Sequence, residues 1–117
     1  MFDKPLAGRT VLLVENEYFL ATELSRSLES QGATVIGPIS NLQQGIDALA
    51  RSRPDAAVLD INLDGDLVYP LADTLAAAKV PFLFASGYDR DSLPGRFADV
   101  TLIQKPIEPD KFGDLFT

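Results

Sequence analysis

The chain has 117 residues, 46% of them hydrophobic, which is enough material for one ordinary core without disulfide or metal crosslinks. It contains no cysteine and no histidine, which excludes disulfides, thiolate metal sites, a histidine general base and a histidine phosphoryl donor. Seventeen acidic against ten basic side chains give a net charge of −7, and without a basic stripe this charge disfavours direct binding to nucleic acid or anionic lipid.

Residues 1–5 begin the chain with neither the basic segment nor the apolar segment of a signal peptide. No apolar run further along reaches the ~20 residues that cross a bilayer. We therefore expect a soluble, cytoplasmic protein that forms a single domain over residues 1–117.

The first two predicted elements are a strand and an amphipathic helix. Thr10–Val14 is apolar, too short for a buried helix and rich in β-branched residues, so it predicts a central strand. Residues 17–31 carry leucines at helical spacing, and Gly32 is placed to end this helix.

A second strand and a second helix follow. Residues 35–39 predict the strand, and Asn41 is the predicted N-cap of the helix, which ends before Pro54. The predicted inner face of this helix carries Leu42, Ile46 and Leu49.

The third predicted strand, Ala56–Leu59, places Asp60 at its carboxyl end. The next residues, 62–66, predict a polar loop because they are rich in Asn, Asp and Gly. Residues 68–78 predict a helix with Pro70 in its first turn, a position that proline tolerates.

The last predicted strands cover residues 81–85 and 101–103. The stretch between them contains Pro94, so any helix there is short or irregular. Residues 108–116 predict a final short helix that the end of the chain truncates.

Strands that alternate with helices at this spacing predict a parallel sheet with right-handed crossovers and helices on both faces. Five such strands indicate an α/β fold, a flavodoxin-like (βα)5 doubly wound sheet with strand order 2-1-3-4-5. In such sheets the ligand site lies outside the carboxyl ends of the strands, where the strand order reverses, here between the first and third strands. The residues at these ends are therefore the candidate functional residues.

Polar side chains occupy these strand ends. Glu15 and Asn16 follow the first strand, Asp60 the third, Ser86 the fourth and Lys105 the fifth. Clustered oxygen ligands suit a hard divalent cation such as Mg²⁺. A carboxylate nucleophile, a cation, a lysine and a hydroxyl donor are together sufficient for phosphoryl transfer.

Each candidate residue has an expected role in this chemistry. Asp60 attacks phosphorus, while Lys105 and Ser86 contact phosphate oxygens. The predicted metal ligands are Glu15, Asn16, Asp60 and the carbonyl of Asn62. We expect Glu17, by contrast, to be a first-turn helix residue that the helix dipole favours rather than a ligand.

The motifs resemble those of the response-regulator receiver family over essentially the whole chain. They are Val-Leu-Leu-Val-Glu-Asn-Glu at 11–17, Val-Leu-Asp at 58–60, Phe-Ala-Ser-Gly-Tyr at 84–88 and Lys-Pro at 105–106. The resemblance implies that Asp60 is the phosphoacceptor, that Glu15 and Asn16 stand for the acidic metal pair, and that Mg²⁺ is the cofactor. It also implies that Ser86 is the switching hydroxyl and that Lys105, before a cis peptide bond, binds the phosphoryl group.

The family implies partners as well. A histidine kinase or histidine phosphotransfer protein supplies the phosphoryl group, and a downstream protein target or a fused output domain receives the signal. The chain itself is then no enzyme beyond self-catalysed phosphoryl acceptance and loss. Residues 84–88 resemble an alphaproteobacterial subgroup, often single-domain, whose motif is Phe-Ala-Thr-Gly-Tyr.

Four positions depart from the family or allow two interpretations. Asn16 replaces the usual aspartate, so we expect weaker cation binding than a carboxylate would give. Leu102 occupies the position of the usual aromatic switch residue, which leaves the output geometry unassigned. Tyr18 and Phe19 fit a core position and a kinase-docking surface equally well.

Two other functions compete with the phosphorylated receiver. The first is a pseudo-receiver, an interaction module that is not phosphorylated because Asn16 weakens the metal site. The second is a magnesium-dependent phosphatase or phosphotransferase, which lacks its general acid because Asn62 stands two residues after Asp60.

Overall fold

The structure, a computed structural model, describes residues 4–106, and its secondary structure alternates between strands and helices. Two 3-10 turns, Arg90–Ser92 and Gly95–Phe97, lie before the last strand. In chain order the elements are β1 Thr10–Val14, α1 Tyr18–Ser30, β2 Thr34–Ile39, α2 Leu42–Arg51, β3 Ala56–Leu59, β4 Asn62–Leu63, β5 Asp66–Leu67, α3 Tyr69–Ala77, β6 Phe82–Ser86 and β7 Leu102–Gln104.

Five strands form one parallel sheet in the order β2-β1-β3-β6-β7. Because β4 and β5 lie outside this sheet, β6 and β7 are its fourth and fifth strands, and the predicted order 2-1-3-4-5 is confirmed. The central strands β1 and β3 are almost wholly buried, as expected for apolar strands covered on both faces. In their register Val14 pairs with Leu59, so the residues that follow leave the sheet side by side.

The first helix begins and ends close to the predicted residues. Its buried face includes Ala21, Leu24 and Leu28, and the two leucines belong to the hydrophobic cluster on one side of the sheet. Gly32 lies just beyond the helix with a φ of +101°, and a Cβ atom there would stand 2.7 Å from the Cα of Ala7. Glycine is therefore required both by the backbone conformation and by the close approach of the amino-terminal segment.

The second helix begins at the predicted cap, and its predicted inner residues Leu42 and Leu49 are half-buried and pack against the main core. The Asn41 side chain accepts a hydrogen bond from the Gln44 N–H at 2.9 Å. The prediction that Ile46 lies on the inner face is wrong, since Ile46 is 36% exposed whereas Gly45 and Ala48 are buried. The helix turns its small residues inward because a Cβ atom at Gly45 would lie only 2.9 Å from Cδ2 of Leu71.

The predicted polar loop after the third strand is in fact a small antiparallel ribbon. β4 and β5 pair residues Asn62 with Leu67 and Leu63 with Asp66. Between them Asp64 and Gly65 have φ values of +56° and +98°. Two consecutive residues with positive φ and the sequence Asp-Gly are typical of a type I′ hairpin turn.

The segment between β6 and β7 is irregular, as predicted. Its second 3-10 turn buries Phe97 against the sheet, where the ring stacks on Tyr69 at a centroid distance of 5.4 Å and meets Phe84 edge-on at 5.4 Å. These rings anchor a segment that has little regular backbone hydrogen bonding.

Two further expectations concern the last helix and membrane-spanning segments. The final helix predicted over residues 108–116 lies outside the described residues. Within residues 4–106, none of the helices combines the length and the apolar character needed to span a bilayer.

The close contact at Gly32 predicts a large loss of stability when a methyl group is added. Gly32→Ala should lower the free energy of unfolding by about 2 kcal/mol or more, from the left-handed φ and the backbone clash. Gly95→Ala, where nothing lies within 4 Å of the added Cβ, should change it by no more than about 0.5 kcal/mol. Denaturant unfolding followed by circular dichroism measures both, and equal values for the two variants would contradict this account.

Candidate functional site

Two buried carboxylates leave the sheet side by side at the end of the central strands. Glu15 follows β1 and is 2% exposed, and Asp60 follows β3 and is 5% exposed. The main chain holds both residues in the sheet, since the Glu15 N–H donates to the Ile39 carbonyl and the Asp60 N–H to the Val14 carbonyl, each at 2.8 Å. Their position follows from strand register, as the sequence predicts.

The ammonium of Lys105 joins these carboxylates from the end of β7. Its Nζ atom lies 3.0 Å from Glu15 Oε1, 3.2 Å from Asp60 Oδ2 and 2.7 Å from Glu17 Oε1. The Lys105–Pro106 peptide bond is cis, as the resemblance implies, and the Lys105 N–H donates to the Ser86 carbonyl at 2.9 Å. One cation therefore contacts three carboxylates.

The charges around Lys105 stabilise its protonated form. Burial acts to lower the pKa of Lys105, but the hydrogen bonds to Glu17 and Glu15 and the charge of Asp60 outweigh it, and the pKa is raised. Lys105 is therefore a permanent positive charge at neutral pH.

Glu15 experiences the opposite balance. Burial, and then the neighbouring Asp60 carboxyl, raise the pKa of Glu15 from its ordinary value of 4.5 to about 7. The hydrogen bonds donated to its Oε2 by the Glu17 N–H and by Lys105 only partly oppose this rise. Its Oε1 atom accepts no hydrogen bond from any described residue, although the Lys105 ammonium is 3.0 Å away.

The donor set at this edge of the sheet suits a hard divalent cation. Carboxylate oxygens of Glu15, Glu17 and Asp60 lie within 4.8 Å of one another. All are oxygen ligands of the kind that Mg²⁺ prefers, and the buried Glu15 Oε1 atom accepts no hydrogen bond from the part of the chain that the structure describes. The residues present therefore fit the magnesium ion that the resemblance implies.

Glu17 is placed differently from its prediction. It is the N-cap residue of α1 rather than part of the first turn, and its carboxylate makes no capping hydrogen bond. Instead it pairs with Lys105, the shortest of the contacts that this ammonium makes with the carboxylates. Helix-dipole reasoning missed this role because the partner lies 88 residues away in the sequence.

The two asparagine candidates are held by neighbours in the same region. Asn16 Nδ2 donates to Asp64 Oδ1 at 3.0 Å. Asn62 Nδ2 donates to the Tyr88 hydroxyl at 3.2 Å, and its Oδ1 accepts from the Gly65 N–H at 2.7 Å. Asp64 is absent from the sequence-based site, although the Asp-Gly pair that places it is a recognisable hairpin signal.

Ser86 is buried at the end of β6, with its hydroxyl accepting a hydrogen bond from the Tyr88 N–H at 3.2 Å. This contact supports the turn at Gly87, and the hydroxyl proton remains free to be donated.

The candidate residues surround one open space, a cleft of about 430 Å³ beside Asp60. It is lined by Asn16, Glu17, Asp60, Asn62, Asp64, Gly65, Ser86, Gly87, Tyr88 and Lys105. The structure thus brings together every predicted site residue, with Glu15 buried directly behind the lining.

Three further residues bear on contacts with partners and on output. Tyr18 and Phe19 at the start of α1 are 77% and 82% exposed, so the interpretation of these residues as core is wrong. Leu102, at the position of the family's usual aromatic switch, is half-buried, pairs with Phe84 and packs against the main core.

Comparison with known proteins finds relatives over most of the chain. No protein-family model matches it. It is 34% identical to SdrG from Sphingomonas melonis Fr1, with a TM-score of 0.79 over 94% of this chain and 92% of SdrG. The receiver (REC) domain of the PhyR response regulator from Erythrobacter litoralis shares its fold, with a TM-score of 0.80 and 23% identity over 92% of this chain and 86% of that domain.

Curated relatives extend beyond the matched region. The sensory transduction protein LytT from Bacillus cereus is 31% identical over 105 residues, which make up 86% of this chain and 43% of LytT. The transcriptional regulatory protein PdtaR from Mycobacterium tuberculosis is 20% identical over 92% of this chain and 53% of PdtaR. The chain thus spans about half the length of these curated relatives.

The raised pKa of Glu15 predicts a pH-dependent stability of the metal-free protein. The folded state binds the proton of the Glu15 carboxyl group more tightly than the unfolded chain does. The contribution of protonated Glu15 to stability is therefore fully present below about pH 4.5 and is lost as the pH rises through about 7. With a metal chelator present, the free energy of unfolding of the wild type should therefore fall between about pH 5 and about pH 8 by about 2–3 kcal/mol more than that of the Glu15→Gln variant. Denaturant titrations across this range measure it, and parallel pH profiles for the two proteins would show that Glu15 ionises normally.

Proposed function

Because this chain belongs to the family of response-regulator receiver domains, we propose that it accepts a phosphoryl group on Asp60 in a two-component phosphorelay. The observation that carries the proposal is the environment of Asp60. Its buried carboxylate stands at the end of a central strand, faces the cleft and lies 3.2 Å from the Lys105 ammonium. The proposed nucleophile is thus adjacent to a positive charge that can stabilise the oxygens of an incoming phosphoryl group.

In the proposed reaction a carboxylate oxygen of Asp60 attacks the phosphorus of a phosphohistidine. The new P–O bond forms as the P–N bond breaks, and the departing imidazole takes a proton from water. Since the chain has no histidine, the donor residue comes from outside this sequence. The product is an aspartyl phosphate.

Side chains around the cleft would stabilise the transferred group. Lys105 offsets the negative charge of the phosphoryl oxygens, and Ser86 can donate its hydroxyl proton to one of them. We propose Mg²⁺ as the cofactor; when bound, it supplies positive charge that reduces the repulsion between carboxylate and phosphoryl group. Its proposed ligands are Glu15, Asn16, Asp60 and the main-chain carbonyl of Asn62.

We propose that the donor, a histidine kinase or a histidine phosphotransfer protein, docks beside the cleft. Tyr18 and Phe19 present an exposed aromatic pair immediately after Glu17, which lines the cleft. Aromatic side chains of this kind are frequent anchors in protein interfaces. The signal would then pass to a downstream protein or a fused output domain through altered protein contacts.

The motif at residues 84–88 supports a place in the subgroup of receivers that carry Phe-Ala-Thr-Gly-Tyr at these positions. The serine that replaces threonine keeps the hydroxyl that the proposed mechanism needs.

The second candidate function is an interaction module that is never phosphorylated. One observation favours it: a neutral amide, Asn16, stands at the metal site where the family has a carboxylate. This function predicts that partner binding survives the substitution Asp60→Ala.

Intact-mass spectrometry after incubation with Mg²⁺ and a small acyl phosphate donor tests the proposed function. The wild-type chain should gain one phosphoryl group, because Asp60 combines burial, a cation site and Lys105. Asp60→Ala and a chelated sample should gain none. Asp91→Asn, which removes an exposed carboxylate that does not line the cleft, should behave as wild type.

A folded wild-type sample that gains no phosphoryl group, from the small donor or from a phosphorylated histidine phosphotransfer protein, would contradict the proposal and favour the interaction module. An adduct that persists in Asp60→Ala would place the phosphoryl group on another residue.

The Tyr88 ring predicts a long-lived aspartyl phosphate. It lines the cleft two residues after Ser86, and its hydroxyl accepts a hydrogen bond from Asn62, so the ring can shield the acyl phosphate from water. Tyr88→Ala should shorten the lifetime of the adduct, measured by mass spectrometry over time. Tyr88→Phe keeps the ring and should retain most of the lifetime; an unchanged lifetime in Tyr88→Ala would exclude shielding.

A further inference from the structure

Asn16 and Asp64 form a hydrogen-bonded pair at the mouth of the cleft. Asn16 Nδ2 donates to Asp64 Oδ1 at 3.0 Å, across 48 residues of sequence. Both residues line the cleft beside Asp60. The proposed receiver chemistry assigns no role to Asp64.

Position 16 contributes an amide rather than a carboxylate to this site. An asparagine there offers an oxygen ligand for a cation but carries no charge. Behind it, Glu15 has a buried oxygen, Oε1, that accepts no hydrogen bond from the described residues. The donor set is thus arranged for a cation, and how well the neutral Asn16 oxygen serves as a ligand depends on what holds its amide group.

The hairpin between β4 and β5 holds Asp64 at this position. Asp64 occupies the turn with a φ of +56°, and the next residue, Gly65, has a φ of +98°. The Gly65 N–H donates to Asn62 Oδ1 at 2.7 Å, which ties the turn to the start of β4. Aspartate and asparagine tolerate a left-handed backbone better than most residues, so the carboxylate is presented without a large conformational cost.

We propose that Asp64 is a positioning residue for the divalent cation and acts through Asn16. By accepting the Asn16 N–H, its carboxylate orients the amide so that Oδ1 points away from Asp64 and is available as a ligand. It also makes that oxygen more basic and returns a negative charge to the site. This inference rests on the proposed function, which places a cation beside Asp60.

Substitutions at Asn16 and Asp64 should then have coupled effects on the Mg²⁺ affinity. An aspartate at position 16 has no proton to donate to Asp64 when ionised, and two carboxylates at about 3 Å repel each other. The charge gained by Asn16→Asp is therefore partly cancelled while Asp64 is present. It should be fully effective once Asp64 is neutral.

Magnesium titrations of the full chain, followed by amide NMR spectra, test the proposal without using phosphorylation as the readout. Asp64→Asn keeps the turn conformation and removes the charge, and should weaken Mg²⁺ binding about tenfold. The matched control Asp66→Asn removes a carboxylate from the same hairpin and should change the affinity less than about twofold. The same spectra show whether each variant is folded.

A double-mutant cycle supplies the second readout. Asn16→Asp should raise the Mg²⁺ affinity more in the Asp64→Asn background than in the wild type, and the double variant should recover at least wild-type affinity. A purely structural role of Asp64 in the hairpin would give the same gain in both backgrounds.

The outcomes separate this inference from the proposed function. Equal Mg²⁺ affinities for Asp64→Asn and Asp66→Asn, or equal gains from Asn16→Asp in both backgrounds, would overturn the role of Asp64 while phosphorylation of Asp60 still supports the receiver. A wild-type chain that binds no Mg²⁺ would overturn both.

Discussion

The arrangement of this end of the molecule depends on one interaction, the contact of the Lys105 ammonium with the carboxylates around it. Adjacent parallel strands deliver Glu15 and Asp60 to the same point, where each is almost completely removed from water. Two unpaired charges in such an environment would be very costly. Lys105 lowers this cost by charge pairing, since its Nζ lies 3.0 Å from a Glu15 oxygen and 3.2 Å from an Asp60 oxygen.

Lys105 neutralises the two buried carboxylates only in part, and the pKa of Glu15 shows the remaining imbalance. Even with Lys105 in contact, the pKa of Glu15 is raised to about 7, because burial and Asp60 together outweigh the favourable hydrogen bonds. A second cation would relieve the same strain. A strongly perturbed carboxyl group beside a cleft is typical of functional sites, and Glu15 lies directly behind the cleft lining.

The surrounding structure supplies the rest of the cleft. The aromatic packing of Phe97 against Phe84 holds the irregular segment before β7 in place. The β4–β5 hairpin brings Asn62, Asp64 and Gly65 to the cleft lining. Rigid strands therefore position the buried carboxylates, and turns supply the polar groups around them, as is common in doubly wound sheets.

The sequence by itself determined the five strands of the parallel sheet, their order and the edge at which Asp60, Ser86 and Lys105 meet. Short apolar runs predict buried parallel strands, and the carboxyl ends of parallel strands lie at the same edge of the sheet. Only the tertiary structure decided that Ile46 lies off the buried face of α2 and which partners Glu17 and Asp64 take. The rotation of a helix depends on the shape of the surface beneath it, and these contacts join residues separated by 88 and 48 positions in the sequence, beyond the reach of any local pattern.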